Sequence, residues 1–196
     1  DKRIGPHFLN AGIGYGGSCF PKDNSALVKI AENAQYNLEI KKSTIKVNER
    51  QPLVLVEKAK VRFGSLIGKK VALLGLTFKP YTDDMREAPS IYIAQQLLRE
   101  GAQVIGYDPV GIERAKEILP KEINYVDSLE QALLEAEIVF ILTEWKEITE
   151  FFLEKAVQLM KNPVVFDGRN CFSLKDANCF RVEYHSIGRP TVLREP

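Results

Sequence analysis

Cys19 closes a glycine-rich run, Gly12-Ile13-Gly14-Tyr15-Gly16-Gly17-Ser18, and is followed by Phe20-Pro21-Lys22-Asp23. A thiol attacks carbon only as its thiolate, which a neighbouring cation or a helix N-terminus favours. Lys22 lies just beyond the cysteine, and a helical pattern begins near Asp23 and Asn24, both suitable N-cap residues. The ingredients of an activated nucleophile are therefore together. Glycines at this density let the backbone take angles closed to other residues and come close to a ligand. The competing reading is a small buried cysteine in a tight turn, since free cysteine is among the most buried residue types. The flanking glycines and charges favour chemistry.

The bulk composition narrows the function classes. The chain has 196 residues, 45% hydrophobic and 27% charged, enough for one full domain plus a smaller element. A net charge of +1 gives no electrostatic reason to expect nucleic acid or an anionic membrane surface. No apolar run approaches the roughly 18 residues of a transmembrane helix, and Asp1-Lys2-Arg3 does not open a signal peptide. Cys19, Cys171 and Cys179 are odd in number and lack paired spacing, which points to a reducing compartment, the cytoplasm. His7 and His185 have no ligand spacing to the cysteines, so no metal is expected.

Three regions follow along the chain: the loop 1–23, a helical region and linker 24–68, and an alternating α/β region 69–196. Helical spacing predicts a first helix over 24–35 and a longer one over 39–63, with Ile45, Val47, Leu53, Val54, Val56, Ala59 and Val61 apolar and Pro52 bending or interrupting it. Strands are expected over 70–76, 103–109, 138–143, 163–167 and 180–187, with helices over 90–100, 111–119, 128–137 and 149–160. Such alternation implies a Rossmann-like, doubly wound parallel sheet, whose ligands bind beyond the carboxyl ends of its strands. Phe78-Lys79, Asp108 and Arg169 all fall just past such ends. The first strand ends in Gly75-Leu76-Thr77-Phe78-Lys79-Pro80, which is not the G-x-G-x-x-G dinucleotide fingerprint. Trp145 reads as packing near a strand end, and Cys171 and Cys179 as core or half-buried residues.

Three segments, in order, resemble one family. Gly16-Gly17-Ser18-Cys19-Phe20-Pro21-Lys22-Asp23 resembles the catalytic segment of the nucleotide-sugar dehydrogenases, the UDP-glucose/GDP-mannose dehydrogenase family, and its UDP-glucose 6-dehydrogenase branch in particular. Gly75-Leu76-Thr77-Phe78-Lys79-Pro80, followed by Thr82-Asp83-Asp84-Met85-Arg86-Glu87-Ala88-Pro89-Ser90, is similar to the start of its C-terminal domain, and Phe166-Asp167-Gly168-Arg169-Asn170 to a late strand-end motif. The resemblance covers nearly the whole chain.

It implies that Cys19 is a covalent nucleophile and Asp23 the group that orients or deprotonates water. It implies that Phe8, Leu9, Asn10, Gly12, Tyr15 and Gly16 cradle the substrate, with Arg3 reaching a neighbouring subunit's substrate. Phe78, Lys79 and Arg169 would contact the UDP-sugar, and Cys19, Lys22 and Arg86 would lie against NAD. A solvated Lys79, an Arg169 paired with Asp167 or another carboxylate, and an Arg86 paired with its acidic neighbours are the plainer alternatives. The implied reaction is oxidation of a sugar C6 alcohol to a carboxylate by two hydride transfers to NAD⁺. The long helix would be a homodimer contact, and the chain reads as a C-terminal fragment, inactive without an N-terminal NAD-binding domain. A GDP-mannose or UDP-N-acetylmannosamine substrate, or a non-catalytic nucleotide-sugar-binding or dimerisation module, remain the alternatives.

Overall fold

The computed structural model describes residue 5, residues 9–134 and residues 136–193. Three helices come first, α1 (Phe20–Asn33), α2 (Glu39–Arg50) and α3 (Leu53–Phe63). Then follow β1 (Lys70–Leu74), α4 (Pro89–Arg99), β2 (Gln103–Tyr107), α5 (Ile112–Ile118), β3 (Asn124–Tyr125), α6 (Leu129–Leu133) and β4 (Ile138–Ile141). The chain continues through α7 (Lys146–Leu159), β5 (Val164–Asp167), α8 (Leu174–Cys179) and β6 (Glu183–Ser186).

All six strands pair in parallel in the order β3-β2-β1-β4-β5-β6, the order of a Rossmann-like sheet. The expected α/β class is the observed one. Alternate strand residues face opposite layers, as the two-residue period of a strand requires. Val71, Leu73, Phe140 and Phe166 pack toward α3 and α4, while Ala72, Leu74, Val139, Ile141 and Val165 pack toward α6, α7 and α8. With both faces covered, the central strands are buried along almost their whole length.

Several boundaries differ from the sequence expectation. Helix α1 starts at Phe20, so Cys19 is the N-cap and Asp23 lies in the first turn; neither Asp23 nor Asn24 caps it. The reason is Pro21, whose fixed φ and missing N–H suit a first helical turn. The helix expected over 39–63 is divided at Gln51-Pro52. Both residues keep helical angles (φ −58°, ψ −39° and φ −57°, ψ −36°), and Val54 N–H reaches back to the Gln51 carbonyl at 3.2 Å. The helical path thus carries on through a gap in the hydrogen-bond ladder, which is what a proline without an N–H imposes.

Helix α6 stops at Leu133, α7 begins at Lys146 rather than at residue 149, and the last strand is only Glu183–Ser186. The two-residue β3 and the short α8, capped by the Ser173 hydroxyl accepting from Asp176 N–H, carry too little periodicity to stand out in the sequence. Val47 and Val61 face solvent rather than a core, and Cys179 is exposed. Among the described residues no helix is long and apolar enough to cross a membrane, and no group of His, Cys, Asp or Glu is arranged to hold a metal.

Candidate functional site

The glycine loop lies across the carboxyl ends of β1 and β5, held there from three sides. Ile13 is fully buried in the core layer of α3 and α4, where a Cβ at Gly168 would come within 2.6 Å of its Cγ2. Only a glycine after β5 leaves room for the loop to seat. On the α2 side, the Asn48 side chain accepts from Tyr15 N–H (2.8 Å) and donates to the Tyr15 carbonyl (3.0 Å), and Gln51 Nε2 donates to the Gly12 carbonyl (2.8 Å). On the β1 side, Gly17 N–H donates to the Arg86 carbonyl (2.8 Å), and a Cβ at Gly17 would come within 2.7 Å of the Phe78 ring.

Beyond the loop, Tyr15 carries the order on to α1. Its hydroxyl accepts from Asn24 Nδ2 (3.0 Å), and its ring meets Phe20 edge-on at 5.8 Å. Cys19 is exposed at the helix N-terminus, its Sγ 3.8 Å from the Ser18 hydroxyl. Its side chain makes no capping hydrogen bond to the first-turn N–H groups of α1. Asp23 N–H closes the first turn on the Cys19 carbonyl (2.8 Å), and its carboxylate lies 3.8 Å from Lys22 Nζ, both side chains open to solvent.

Arg169 follows β5 and Glu144 follows β4. The guanidinium pairs with Glu144 at two points, Nε to Oε2 (2.5 Å) and Nη2 to Oε1 (2.9 Å). Burial pushes the Glu144 carboxyl up, but the Arg169 guanidinium outweighs it and holds the group below its ordinary value. Asp167 is not the partner of the guanidinium. It is buried at the strand end and accepts from Arg169 N–H, Cys171 N–H and the Tyr184 hydroxyl, with burial raising its own carboxyl. Arg86 is paired at two points with Asp84, and that contact lowers the Asp84 carboxyl. Lys79 is exposed, its ammonium 5.3 Å from the centre of the Phe78 ring.

Two clefts flank the loop. One, about 480 Å³, is lined by Asn10, Gly12, Tyr15, Asn48, Glu144 and Arg169 among others. The other, about 530 Å³, has Tyr15, Ser18, Lys22, Asn48, Arg86 and Tyr92 in its walls. Leu9 is 71% exposed at the start of the loop, and Arg3 and Phe8 lie outside the described residues. So the fold brings Asn10, Gly12, Tyr15 and Arg169 to one cleft, and Tyr15, Lys22 and Arg86 to the other. Phe78, Gly16 and Gly17 form the seam beneath the loop, while neither cleft is lined by Cys19, Asp23 or Lys79.

The sheet's own crevice does not fit a dinucleotide. Asp108, 1% exposed after β2, has its oxygens taken by Leu76 N–H, Thr77 N–H, Val110 N–H, Gly111 N–H and Trp145 Nε1. A carboxylate so occupied has nothing to offer a ribose, and Gly75 backs directly onto Thr143. Trp145 packs at the strand end as expected.

Asn48, Gln51 and Glu144 were not picked out by sequence reasoning. Asn48 had a signal: it occupies the inward stripe Ile45, Asn48, Pro52, Leu55, Ala59, where a polar residue among apolar ones needs a partner. Glu144 had none, because its pairing with Arg169 depends on which strand lies beside β5.

Residues 72–174 match the model of the UDP-glucose/GDP-mannose dehydrogenase family, UDP binding domain, and residues 1–50 match that family's central domain. The chain is 52% identical to UDP-glucose 6-dehydrogenase YwqF of Bacillus subtilis, over 98% of this chain and 44% of that protein. Among solved structures, it matches a UDP-glucose dehydrogenase from the archaeon Pyrobaculum islandicum with a TM-score of 0.80 and 37% identity, over 94% of this chain and 40% of that one. It also matches a UDP-D-ManNAc dehydrogenase from Pyrococcus horikoshii with a TM-score of 0.74 and 27% identity, over 91% and 40%. The chain thus spans less than half the length of each of these relatives.

Proposed function

The chain belongs to the UDP-glucose/GDP-mannose dehydrogenase family, and we propose that it supplies the nucleophile and the UDP-sugar-binding domain of an NAD-dependent UDP-glucose 6-dehydrogenase. The observation that carries this reading is an exposed cysteine at a helix N-terminus, on a glycine loop docked beside two clefts, one bearing Arg169 and the other Lys22 and Arg86. The fold is shared by relatives with other sugars, so the choice of UDP-glucose rests on the segments around Cys19 and residues 8–12 and on the relatives' identity. Phe78 and Lys79 follow β1 and are assigned to the UDP-sugar, as are Gly16 and Leu9; Arg3 and Phe8 keep the same assignment.

NAD⁺, when bound, supplies the hydride acceptor. Lys22 and Arg86 face one cleft, which Glu49 and Glu87 also line, and these two cations would hold the phosphates of such a cofactor, with Arg86 kept in place by Asp84. The crevice at Asp108 does not fit it. Once the C6 alcohol has given up a first hydride to such an acceptor and its proton to become the aldehyde, Cys19 Sγ would add to C6 while the carbonyl oxygen takes up a proton, giving a thiohemiacetal. Loss of the C6 hydride to that acceptor and of the hydroxyl proton would leave a thioester on Cys19. Asp23 takes a proton from the attacking water, the C–S bond breaks, and the thiol returns as the carboxylate product leaves.

Mass spectrometry of an Asp23→Asn enzyme carrying its nucleotide domain, incubated with NAD⁺ and UDP-glucose, should find the sugar acyl on Cys19. Cys19→Ser should abolish turnover while leaving UDP-glucose binding within about twofold, since serine keeps the size but is a far weaker nucleophile. Turnover near that of the parent enzyme in Cys19→Ser rejects the mechanism.

The exposed apolar residues Leu27, Ile30, Ile40 and Val47 on α1 and α2 support a homodimer through this helical region, Ile40 being 87% exposed. Sedimentation as a monomer at micromolar concentration would contradict it.

A further inference from the structure

We propose that Asn48 is the positioning residue of the site: its carboxamide clamps Tyr15 and thereby fixes the partition between the two clefts and the seat of Cys19. The proposal rests on the reading of Cys19 as the nucleophile. A carboxamide offers one acceptor and one donor side by side, and here both are spent on a single backbone residue, Tyr15 N–H at 2.8 Å and Tyr15 C=O at 3.0 Å. The fit is close: Gly14, at φ +102°, would bring a Cβ within 2.8 Å of Asn48 Oδ1.

The position of the pair gives it consequence. Tyr15 and Asn48 both line the cleft with Arg169 and the cleft with Lys22 and Arg86, so together they are the wall between them. The anchor is rigid, since the same helical path runs through Pro52 into the buried residues Leu55, Val56 and Ala59. From the clamped backbone, the Tyr15 ring and hydroxyl hold Phe20 and Asn24, which follow Cys19 in the first turns of α1. A reacting group held through packed neighbours keeps its geometry only if that support is in place.

The test uses this chain, with exposed Cys179 as the internal reference for iodoacetamide alkylation and amide exchange at Tyr15 as the second readout. In the parent chain Cys19 should alkylate faster than Cys179. Asn48→Ala should lower the Cys19-to-Cys179 rate ratio about tenfold, the loss expected from two net hydrogen bonds, and remove the protection of Tyr15 N–H. Asn48→Asp keeps the acceptor but sets a carboxylate against the Tyr15 carbonyl at neutral pH. That repulsion should open the clamp and lower Tyr15 protection at neutral pH; on acidification toward pH 4 the carboxyl regains a donor, so the protection should recover relative to the parent chain at the same pH. A residue serving bulk packing alone would give no such recovery. If Asn48→Ala does not fold, the Asn48→Asp recovery decides the matter. An unchanged ratio with unchanged Tyr15 protection overturns the clamp. A parent chain whose Cys19 alkylates no faster than Cys179 overturns the nucleophile reading instead, and the loss of Tyr15 protection in Asn48→Ala then upholds the partition alone.

Discussion

Arg169 and Glu144, delivered by adjacent strands β5 and β4, meet in a fork-to-carboxylate pair that turns the remaining guanidinium nitrogen, Nη1, toward Gly12. The arginine is thereby held in one plane at the wall of a cleft, 20% exposed, instead of sweeping through solvent. Such a pre-set guanidinium is suited to a phosphate or ribose oxygen.

Arg169→Lys should therefore weaken UDP binding by about tenfold to a hundredfold, because lysine cannot satisfy Glu144 and a ligand oxygen with one planar group. Calorimetric titration with UDP, UDP-glucose and GDP-mannose measures it. Indistinguishable binding of all three by the parent chain, or unchanged affinity in Arg169→Lys, would remove UDP from this cleft.

Two glycines separate the effect of space from that of backbone angle. A Cβ at Gly16 would collide with the Glu87 carbonyl oxygen, so Gly16→Ala should cost about 1–3 kcal/mol by urea unfolding and lift the loop from the 85–88 segment. Gly64, at φ +72° with open space around it, ends α3; Gly64→Ala there should cost only about 1 kcal/mol of backbone strain and leave the loop untouched. A Gly16→Ala chain as stable as its parent would mean that the loop does not rest on Glu87.

Acid should destabilise the fold from just below neutrality. His185 stacks on Phe166 at 4.5 Å and contacts Glu183, which in turn is gripped by Arg62 from α3. Burial pushes the His185 imidazole below its ordinary value near 6.5, with Lys58 and Arg62 adding to the effect and Glu183 opposing it. Burial raises the Glu183 carboxyl, but Arg62 and His185 more than offset this and hold it low. Both folded values are depressed, so both groups stabilise the fold above their unfolded values and lose that contribution as the pH falls through the folded ones. Melting temperature should fall as the pH drops below about 6.5 from His185, and again below about pH 4.5 from Glu183. His185→Gln should flatten the first limb; an equal slope in that variant would place the titration elsewhere.

Much of the fold was legible because it rests on local rules. Apolar runs of strand length alternating with helical periodicity, closed by Gly101 at φ +80°, specify strands and helices before any contact is known. Pro52 announced its own gap. Boundaries were less legible: Asp23 and Asn24 read as caps, yet Pro21 starts α1 earlier and makes Cys19 the cap. Cys19, the glycine loop, Lys22, Arg86 and Arg169 were likewise visible as residue types in suggestive order.

The sequence by itself determined a Rossmann-like domain, a cysteine-bearing glycine loop and cations at strand ends, since backbone freedom, periodicity and charge are properties of near neighbours. The tertiary structure decided what those residues face. Sheet order set β4 beside β5 and so gave Arg169 the carboxylate of Glu144, a residue 25 positions away. The return of the α2–α3 path past the loop gave Tyr15 the amide of Asn48, 33 positions away. The fold also turned Asp108 inward onto backbone amides, so a residue that the strand-end rule offers to a ligand serves the loop after β1 instead. Pairings at such separations depend on which surfaces pack together, and packing is settled only when the whole core forms.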